Sequence, residues 1–386
     1  MSAYASRIER LRALFAEAEI DGMLISQPES RFYMSGYTGH DLPPRDSAGY
    51  LMIGKSGAVL LTDPRTDEQA GNEAKDYKVV AYSPTARQGQ RLIESVKELG
   101  ITKLGFESIH LPHAIWQSFS DVLGEKGVES TDPPIPGPGV TLAPQKELVD
   151  KLRITKDPAE MTDLQAAIDV LDDCFMHIAK HELRVGRTEK EIALAVEQYL
   201  QSRGYTTSFP SIVASGPNSS MPHAVPTDRK IREGEPITID IGANVNGYCS
   251  DMTRTVCIGQ PSEKLREIHQ LVLTAQETAE KNIKNGMNGK EADALARDYL
   301  AEMGYGDKFT HGLGHGIGLE VHEPPSLSVR GSETALTDGM VFSVEPGIYL
   351  PGWGGVRIED LVVMDGEGVR VLCRSPKALA LEEVMR

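Results

Sequence analysis

Between positions 240 and 359 the chain carries four carboxylates and one imidazole, Asp240, Asp251, His315, Glu345 and Glu359, whose types suit a divalent-metal centre. Carboxylate oxygen favours ions such as Mn, Mg or Ca, and imidazole suits Zn, Fe and Ni, whereas a thiolate-rich site would select differently. Four carboxylates would neutralise two dications.

The elements that must position them can be read from the flanking residues. Asp240 lies in Ile237-Thr-Ile-Asp-Ile-Gly-Ala243 and Asp251 in Gly247-Tyr-Cys-Ser-Asp-Met-Thr-Arg-Thr-Val256, both with the pattern of strands. Asn244-Val-Asn-Gly247 between them is a hairpin turn signal. With all four residues in the loop, Asp240 faces Asp251. With Asn246-Gly247 as a two-residue turn, Asp240 faces Thr253 and Asp251 is its diagonal neighbour. Either register puts both carboxylates on one face, roughly 4.5–8 Å apart, and only an odd bulge would part them. Such a pair repels unless it shares a cation or a proton. Two solvated aspartates on an exposed face would explain the pair taken alone; the segments that follow favour a metal.

His311-Gly-Leu-Gly-His-Gly-Ile-Gly318 places two histidines four apart, as on a zinc-binding helix, but glycine costs about 1 kcal/mol at each helix-interior position. An extended segment is expected instead, its alternate glycines marking close approach of a backbone or ligand. His311, His315 and His322 then project from a tight wall. Further on, Val344-Glu-Pro-Gly-Ile-Tyr349 and Val356-Arg-Ile-Glu-Asp-Leu-Val-Val363 flank the loop Pro351-Gly-Trp-Gly-Gly355 and read as a second hairpin, across which Glu345 and Glu359 meet. Period two puts Arg357 on the face of Glu359, where a plain salt bridge is the simplest expectation.

In this order the segments DIGA, GYCSDMTRT, HGLGHGIG with a following HE, EPGIY and RIED resemble the motifs of the pita-bread metallopeptidase family, over residues 209–360. That family includes methionine aminopeptidase, Xaa-Pro aminopeptidase and prolidase, with creatinase as a relative that works without metal. The resemblance implies an α+β protein: a C-terminal pita-bread fold, helices packed on a curved antiparallel sheet, preceded by a smaller α/β creatinase-like domain. It implies that Asp240 chelates one ion, that Asp251 and Glu359 bridge two, and that His315 and Glu345 complete the second. Mn or Co are the expected ions, with Zn and Fe also suited.

His223, in Met221-Pro-His-Ala224, matches a substrate-contacting histidine outside the metal shell, and His322 one that polarises the scissile carbonyl. His311 and Arg357 match positions near the substrate pocket. Paired cations of this kind lower the pKa of a bound water and stabilise developing charge. Glu345 is the expected general base. His322 and His223 would donate to the oxyanion, a role whose loss typically costs on the order of 3 kcal/mol.

Arg31-Phe-Tyr-Met-Ser-Gly-Tyr-Thr-Gly39 and Leu61-Thr-Asp-Pro-Arg-Thr66 resemble the N-terminal domain that prolidase, Xaa-Pro aminopeptidase and creatinase share and methionine aminopeptidase lacks. The chain is therefore expected on the proline-specific branch, with residues 1–150 as the N-terminal and 151–386 as the catalytic domain. A homodimer and a peptide substrate with proline at the second position follow. Whether it is a dipeptidase or an aminopeptidase stays open. So do a creatinase-like or ectoine hydrolase-like non-peptide chemistry and a non-catalytic binding module. Creatinase departs from the ligand set kept here, and retired peptidase folds lose ligands or gain basic extensions, neither of which this chain shows.

Length and composition bound the rest. A chain of 386 residues suits two domains. With 56 acidic against 40 basic residues its net charge of −16 argues against nucleic acid or an anionic membrane as partner. No apolar run approaches the ~20 residues that span a bilayer. Arg7, Arg10 and Arg12, interleaved with Ile8, Leu11, Leu14 and Phe15, read as an amphipathic helix rather than a signal peptide. Cys174, Cys249, Cys257 and Cys373 have no CxxC spacing, so a reducing, cytoplasmic setting is expected. No Walker loop, helix-opening GxGxxG or GxSxG occurs.

Strands are expected at Gly22–Ser26, Gly49–Ile53 and Ala58–Thr62, and Pro133-Pro-Ile-Pro-Gly-Pro-Gly139 reads as a linker or extended arm. Asp157-Pro-Ala-Glu160, Thr188-Glu-Lys-Glu191 and Asn288-Gly-Lys-Glu291 are helix starts. The last two helices should stop near Gly204 and Gly304.

Overall fold

Uninterrupted apolar runs such as Tyr50-Leu-Met-Ile53 can be buried on both faces, and in the computed structural model they form the middle of a sheet. The structure describes residues 2–41, 47–83, 85–331 and 333–386. The chain divides into two compact units, Met1–Arg153 and Ile154–Arg386.

The first unit holds β1 (Gly22–Ile25), β2 (Gly49–Gly54), β3 (Ala58–Thr62), β4 (Lys78–Ala81), β5 (Lys103–Glu107) and β6 (Thr141–Gln145). They form one six-stranded sheet in the order β4-β3-β2-β1-β5-β6, with β1 antiparallel to β2 and parallel to β5. Leu92, Ile93 and Val96 from the helix Gln88–Glu98 and Phe119 and Leu123 from His113–Leu123 bury one face with Leu24 and Met52. The helix Ala3–Ala13 carries the interleaved arginines, and Arg7 lies buried over the Tyr33 ring, 4.0 Å from its centroid. The Pro/Gly run read as a linker or extended arm lies inside this unit: Val128 and Ile135 bridge, and the chain returns as β6 along β5.

In the second unit the three helix starts are capping boxes at Asp157, Thr188 and Asn288, each with its glutamate reaching back to the cap N–H. They open the helices Pro158–His177, Glu189–Gln201 and Gly289–Glu302. Gly204 and Gly304, at φ 82° and 86°, follow the last two helix ends in the left-handed region that suits glycine.

The strands are β7 (Thr206–Thr207), β8 (Ile212–Ser215), β9 (Ile237–Ile241), β10 (Ala243–Val245), β11 (Tyr248–Cys249), β12 (Met252–Val256), β13 (Gly314–Gly316), β14 (Glu323–Leu327), β15 (Val341–Val344), β16 (Gly347–Leu350), β17 (Gly354–Arg357), β18 (Asp360–Asp365) and β19 (Gly368–Val371). Among them β12-β9-β8 and β14-β13-β15-β18-β19 are antiparallel sheets. Phe175, Ile192 and Val196 pack on Ile239 and Val256 of the first sheet. Leu265 and Val272, from the helix Glu263–Asn282, share a second core with Phe342 and Val344 of the other sheet. Two helix pairs thus each close one sheet face, and polar residues alternate onto the opposite faces.

Candidate metal centre

Because Ile237, Ile239 and Ile241 enter the core, the period of two turns Asp240 to the other face of β9. The hairpin closes at Asn246-Gly247, with φ 52° and 90° and Val245 opposite Tyr248. This is the two-residue turn, so Asp240 pairs with Thr253 and Asp251 is its diagonal neighbour on the same face.

The glycine-rich segment is extended, as its composition requires. β13 runs between β14 and β15, and a Cβ on Gly314 would collide with the Ser343 carbonyl, one on Gly316 with that of Pro324. His315, between them, projects away from this contact. Ser343 Oγ accepts from the His315 N–H at 3.0 Å and donates to Glu345 Oε1 at 3.1 Å.

The second hairpin is interrupted where its candidate ligands lie. Val344 pairs with Asp360 and Gly347 with Arg357, which leaves Glu345 and Glu359 facing each other in a gap of the ladder. Their N–H groups turn outward instead, Glu345 to Leu313 O at 2.8 Å and Glu359 to Thr253 O at 3.0 Å. That break stitches the hairpin to both neighbouring segments and brings the four carboxylates together.

Asp251, His315 and Glu359 each offer a ligand atom within 4.8 Å of the others. His315 Nε2 lies 3.2 Å from Glu345 Oε1 and 3.8 Å from Asp251 Oδ2. Asp240 joins through Arg357, whose Nη2 donates to Asp240 Oδ2 at 2.6 Å. The expected Arg357–Glu359 salt bridge is not formed: Arg357 Nε donates to Thr253 Oγ1 at 3.0 Å, and that hydroxyl donates to Glu359 Oε2 at 2.7 Å. A guanidinium presents a rigid fork of donors, so one side chain orients two carboxylates.

Each of these carboxylates keeps one oxygen in reserve. Asp240 Oδ1, Asp251 Oδ1 and Glu359 Oε1 are buried without a hydrogen-bond partner among the described residues. Burial raises the pKa of all three, and for Asp251 and Glu359 the neighbouring carboxylates push it further, well above the usual range. Arg357 partly offsets the rise at Asp240. Burial works against the charge on His315, but its hydrogen bond to Glu345 and the charges of Glu345 and Glu359 carry its pKa upward. A buried group of acceptors this rich in negative charge calls for cations, and oxygen donors with one imidazole fit divalent ions.

These residues line a cleft of about 520 Å³, which His223, His311 and His322 share. The His322 ring lies 4.1 Å from that of His315, and burial followed by the charge on His315 lowers its pKa. His311 Nδ1 meets the Gly312 carbonyl at 2.8 Å and Nε2 meets Tyr349 Oη at 2.8 Å. A carbonyl only accepts, so Nδ1 carries the proton and Tyr349 donates to Nε2. Tyr349 Oη in turn accepts from Arg357 Nη1 at 2.9 Å. Phe209, Ile212, Val225 and Val321 form an apolar wall.

Sequence reasoning missed Thr253, Ser343 and Tyr349, the hydroxyls that aim the candidate ligands and His311. Thr253 and Ser343 lie two residues from Asp251 and Glu345, and Tyr349 is the diagonal neighbour of Arg357 across the second hairpin, which is the signal that would have found them.

A mixed N-terminal sheet, a helix-covered antiparallel unit and a buried carboxylate–histidine cluster together suit a metal-dependent enzyme. Residues 162–365 match Metallopeptidase family M24 and residues 7–155 the Creatinase/Prolidase N-terminal domain. The chain belongs to metallopeptidase family M24 and is a metallopeptidase. It is similar to the solved Xaa-Pro dipeptidase from Bacillus anthracis, at 42% identity and a TM-score of 0.88, covering 98% of this chain and 99% of that one. The X-Pro aminopeptidase from Thermotoga maritima superimposes with a TM-score of 0.83 at 35% identity, over 97% and 99% of the two chains. The Xaa-Pro dipeptidase of Pyrococcus furiosus is 35% identical over 97% of this chain and 99% of its own.

Proposed function

We propose that the protein uses two divalent ions to hydrolyse the peptide bond between an N-terminal residue and proline, as an Xaa-Pro dipeptidase or aminopeptidase. The observation that carries this reading is the set of carboxylate oxygens on Asp240, Asp251 and Glu359 without a partner among the described residues, buried beside His315 and Glu345 in a histidine-lined cleft. The names of its relatives support the preference for proline.

Asp240 would hold one ion, His315 and Glu345 the other, and Asp251 and Glu359 both, with Mn or Co the best suited. Bound there, the ions supply a water of lowered pKa and Lewis acidity toward the carbonyl. Glu345 Oε1 already faces Ser343 and His315, which leaves Oε2 to take a proton and deliver it to the departing amine. His322, neutral because burial lowers its pKa, donates one N–H to the developing oxyanion, and His223, which lines the same cleft, donates a second. The apolar wall of Phe209, Ile212, Val225 and Val321 receives the pyrrolidine ring.

We propose a cytoplasmic location and, from the family resemblance, a homodimer. None of its four cysteines forms a disulfide, and among the described residues no helix is long and apolar enough to cross a membrane. The test strips metal with a chelator, restores Mn or Co, and offers Leu-Pro beside Leu-Pro-Gly-Gly. Cleavage of the first alone marks a dipeptidase, and cleavage of the longer peptide an aminopeptidase. No cleavage of either under any metal would overturn the reading and leave a non-peptide amide as substrate.

A further inference from the structure

One buried carboxylate in the second unit takes no part in the metal cluster. Glu189, the first residue of the helix Glu189–Gln201, has no exposed surface. The helix is already capped by Thr188 and Glu191, so Glu189 is not needed for that.

Its two oxygens gather donors from both ends of a single loop. Oε1 accepts from the Ser215 N–H at 2.7 Å and from Ser215 Oγ at 2.9 Å. Oε2 accepts from the Thr227 N–H at 3.0 Å and from Thr227 Oγ1 at 2.6 Å. Asn218 Nδ2 lies 3.1 Å from each oxygen. Arg229, paired with Glu235, donates to Ser215 Oγ at 2.6 Å and brings a compensating charge.

Between those ends run residues 216–226, and Pro222, His223, Ala224, Val225 and Pro226 line the cleft. This stretch begins in the short turn Gly216–Ser220, where Ser219 Oγ accepts from the Gly355 N–H at 2.8 Å. Ser219 and Ala224 in this stretch are buried, but its tip exposes apolar side chains, Met221 at 50% and Val225 at 79%. Closing both ends on one carboxylate removes much of the loop's freedom, and charge-assisted hydrogen bonds to a carboxylate are the strong kind.

We infer that Glu189 is a positioning residue for the reaction: it fastens both ends of residues 216–226 and so holds His223 and the apolar lip against the substrate. The inference rests on the proposed role of His223 in the cleft. An ionised carboxylate only accepts, and glutamine would replace one acceptor by an NH2 group facing donors. Glu189→Gln is therefore the decisive change. Thr227→Val, which removes one donor from an exposed residue, is the milder second variant should the first fold poorly.

Both are made in the full metal-loaded chain and in a His223→Ala background, with amide hydrogen exchange, metal content and steady-state kinetics on an Xaa-Pro peptide. The amides of residues 215–227 should exchange at least about tenfold faster in Glu189→Gln, with metal content at the wild-type level. Its kcat/KM should fall about tenfold, that of Thr227→Val about threefold, and Glu189→Gln should add little once His223 is gone. Unchanged exchange across 215–227, or an equal kinetic loss with and without His223, would overturn the inference. A wild-type rate for His223→Ala would sink the role of His223 and the kinetic half of the inference, while exchange would still decide whether Glu189 fastens the loop.

Discussion

At the scale of single residues, the candidate centre is a balance between buried acceptors and the few donors that aim them. Asp251 lies 3.8 Å from His315 and keeps one oxygen without a partner among the described residues, which makes it a candidate ligand for whatever cation the cluster holds. Asp251→Ala should empty both positions, read as metal per chain after dialysis. His322→Ala should keep its metal and lower kcat by roughly a hundredfold, the usual scale for an oxyanion donor; an emptied site in that variant would show His322 to be a ligand. Tyr349 joins Arg357 to His311 at 2.9 and 2.8 Å. Tyr349→Phe removes a donor and an acceptor from two buried groups, and should cost about 1–3 kcal/mol in urea unfolding. A smaller loss would mean that water replaces the hydroxyl.

At the scale of elements, close backbone approach decides what the glycine-rich segment can be. Gly314 lies against the Ser343 carbonyl in the centre of a sheet, so Gly314→Ala has to push β13 off β15. It should cost more than about 3 kcal/mol or prevent soluble expression. Gly71, in the helix Asp67–Glu73, is the control, because a Cβ there meets nothing within 4 Å. Gly71→Ala should stabilise by up to about 1 kcal/mol, measured as a rise in Tm. Much at this scale was legible: three helix starts, the two hairpins and the extended glycine run each follow from local spacing. The Pro/Gly run, read as a linker or extended arm, lies inside the first unit, because local composition gives its backbone shape but not which unit it folds into.

At the scale of the whole molecule, two linked equilibria set stability. Metal binds the folded site only, so a chelator should lower the Tm of the unit Ile154–Arg386, by the equivalent of about 2.7 kcal/mol for an ion at a hundred times its Kd. An unchanged Tm would show that no stabilising ion had been bound. The second equilibrium involves His269, 6% exposed, with Nε2 lacking a partner among the described residues. Burial lowers its pKa from 6.5 to about 4. The unfolded chain then binds a proton that the folded chain refuses, so this contribution to stability is complete above pH ~6.5 and falls away down to pH ~4, on the order of 3 kcal/mol in all. His269→Leu should flatten that part of the pH profile in urea titrations. Parallel losses in both proteins would assign acid sensitivity to other groups.

By itself the sequence determined the chemistry and its local geometry. Carboxylate and imidazole types name the class of ion, alternation fixes which face each strand residue shares, and glycine spacing rules out a helix around His315. It left two registers open for the first hairpin, and only the folded turn at Asn246-Gly247 chose between them. Tertiary structure alone decided that Arg357 serves Asp240 and Thr253 rather than Glu359, and that the gap between Glu345 and Glu359 joins the neighbouring segments. The physical reason is range: side-chain type and periodicity act over a few residues, whereas Arg357 and Asp240 meet across 117 positions, a contact that exists only once the sheets have packed.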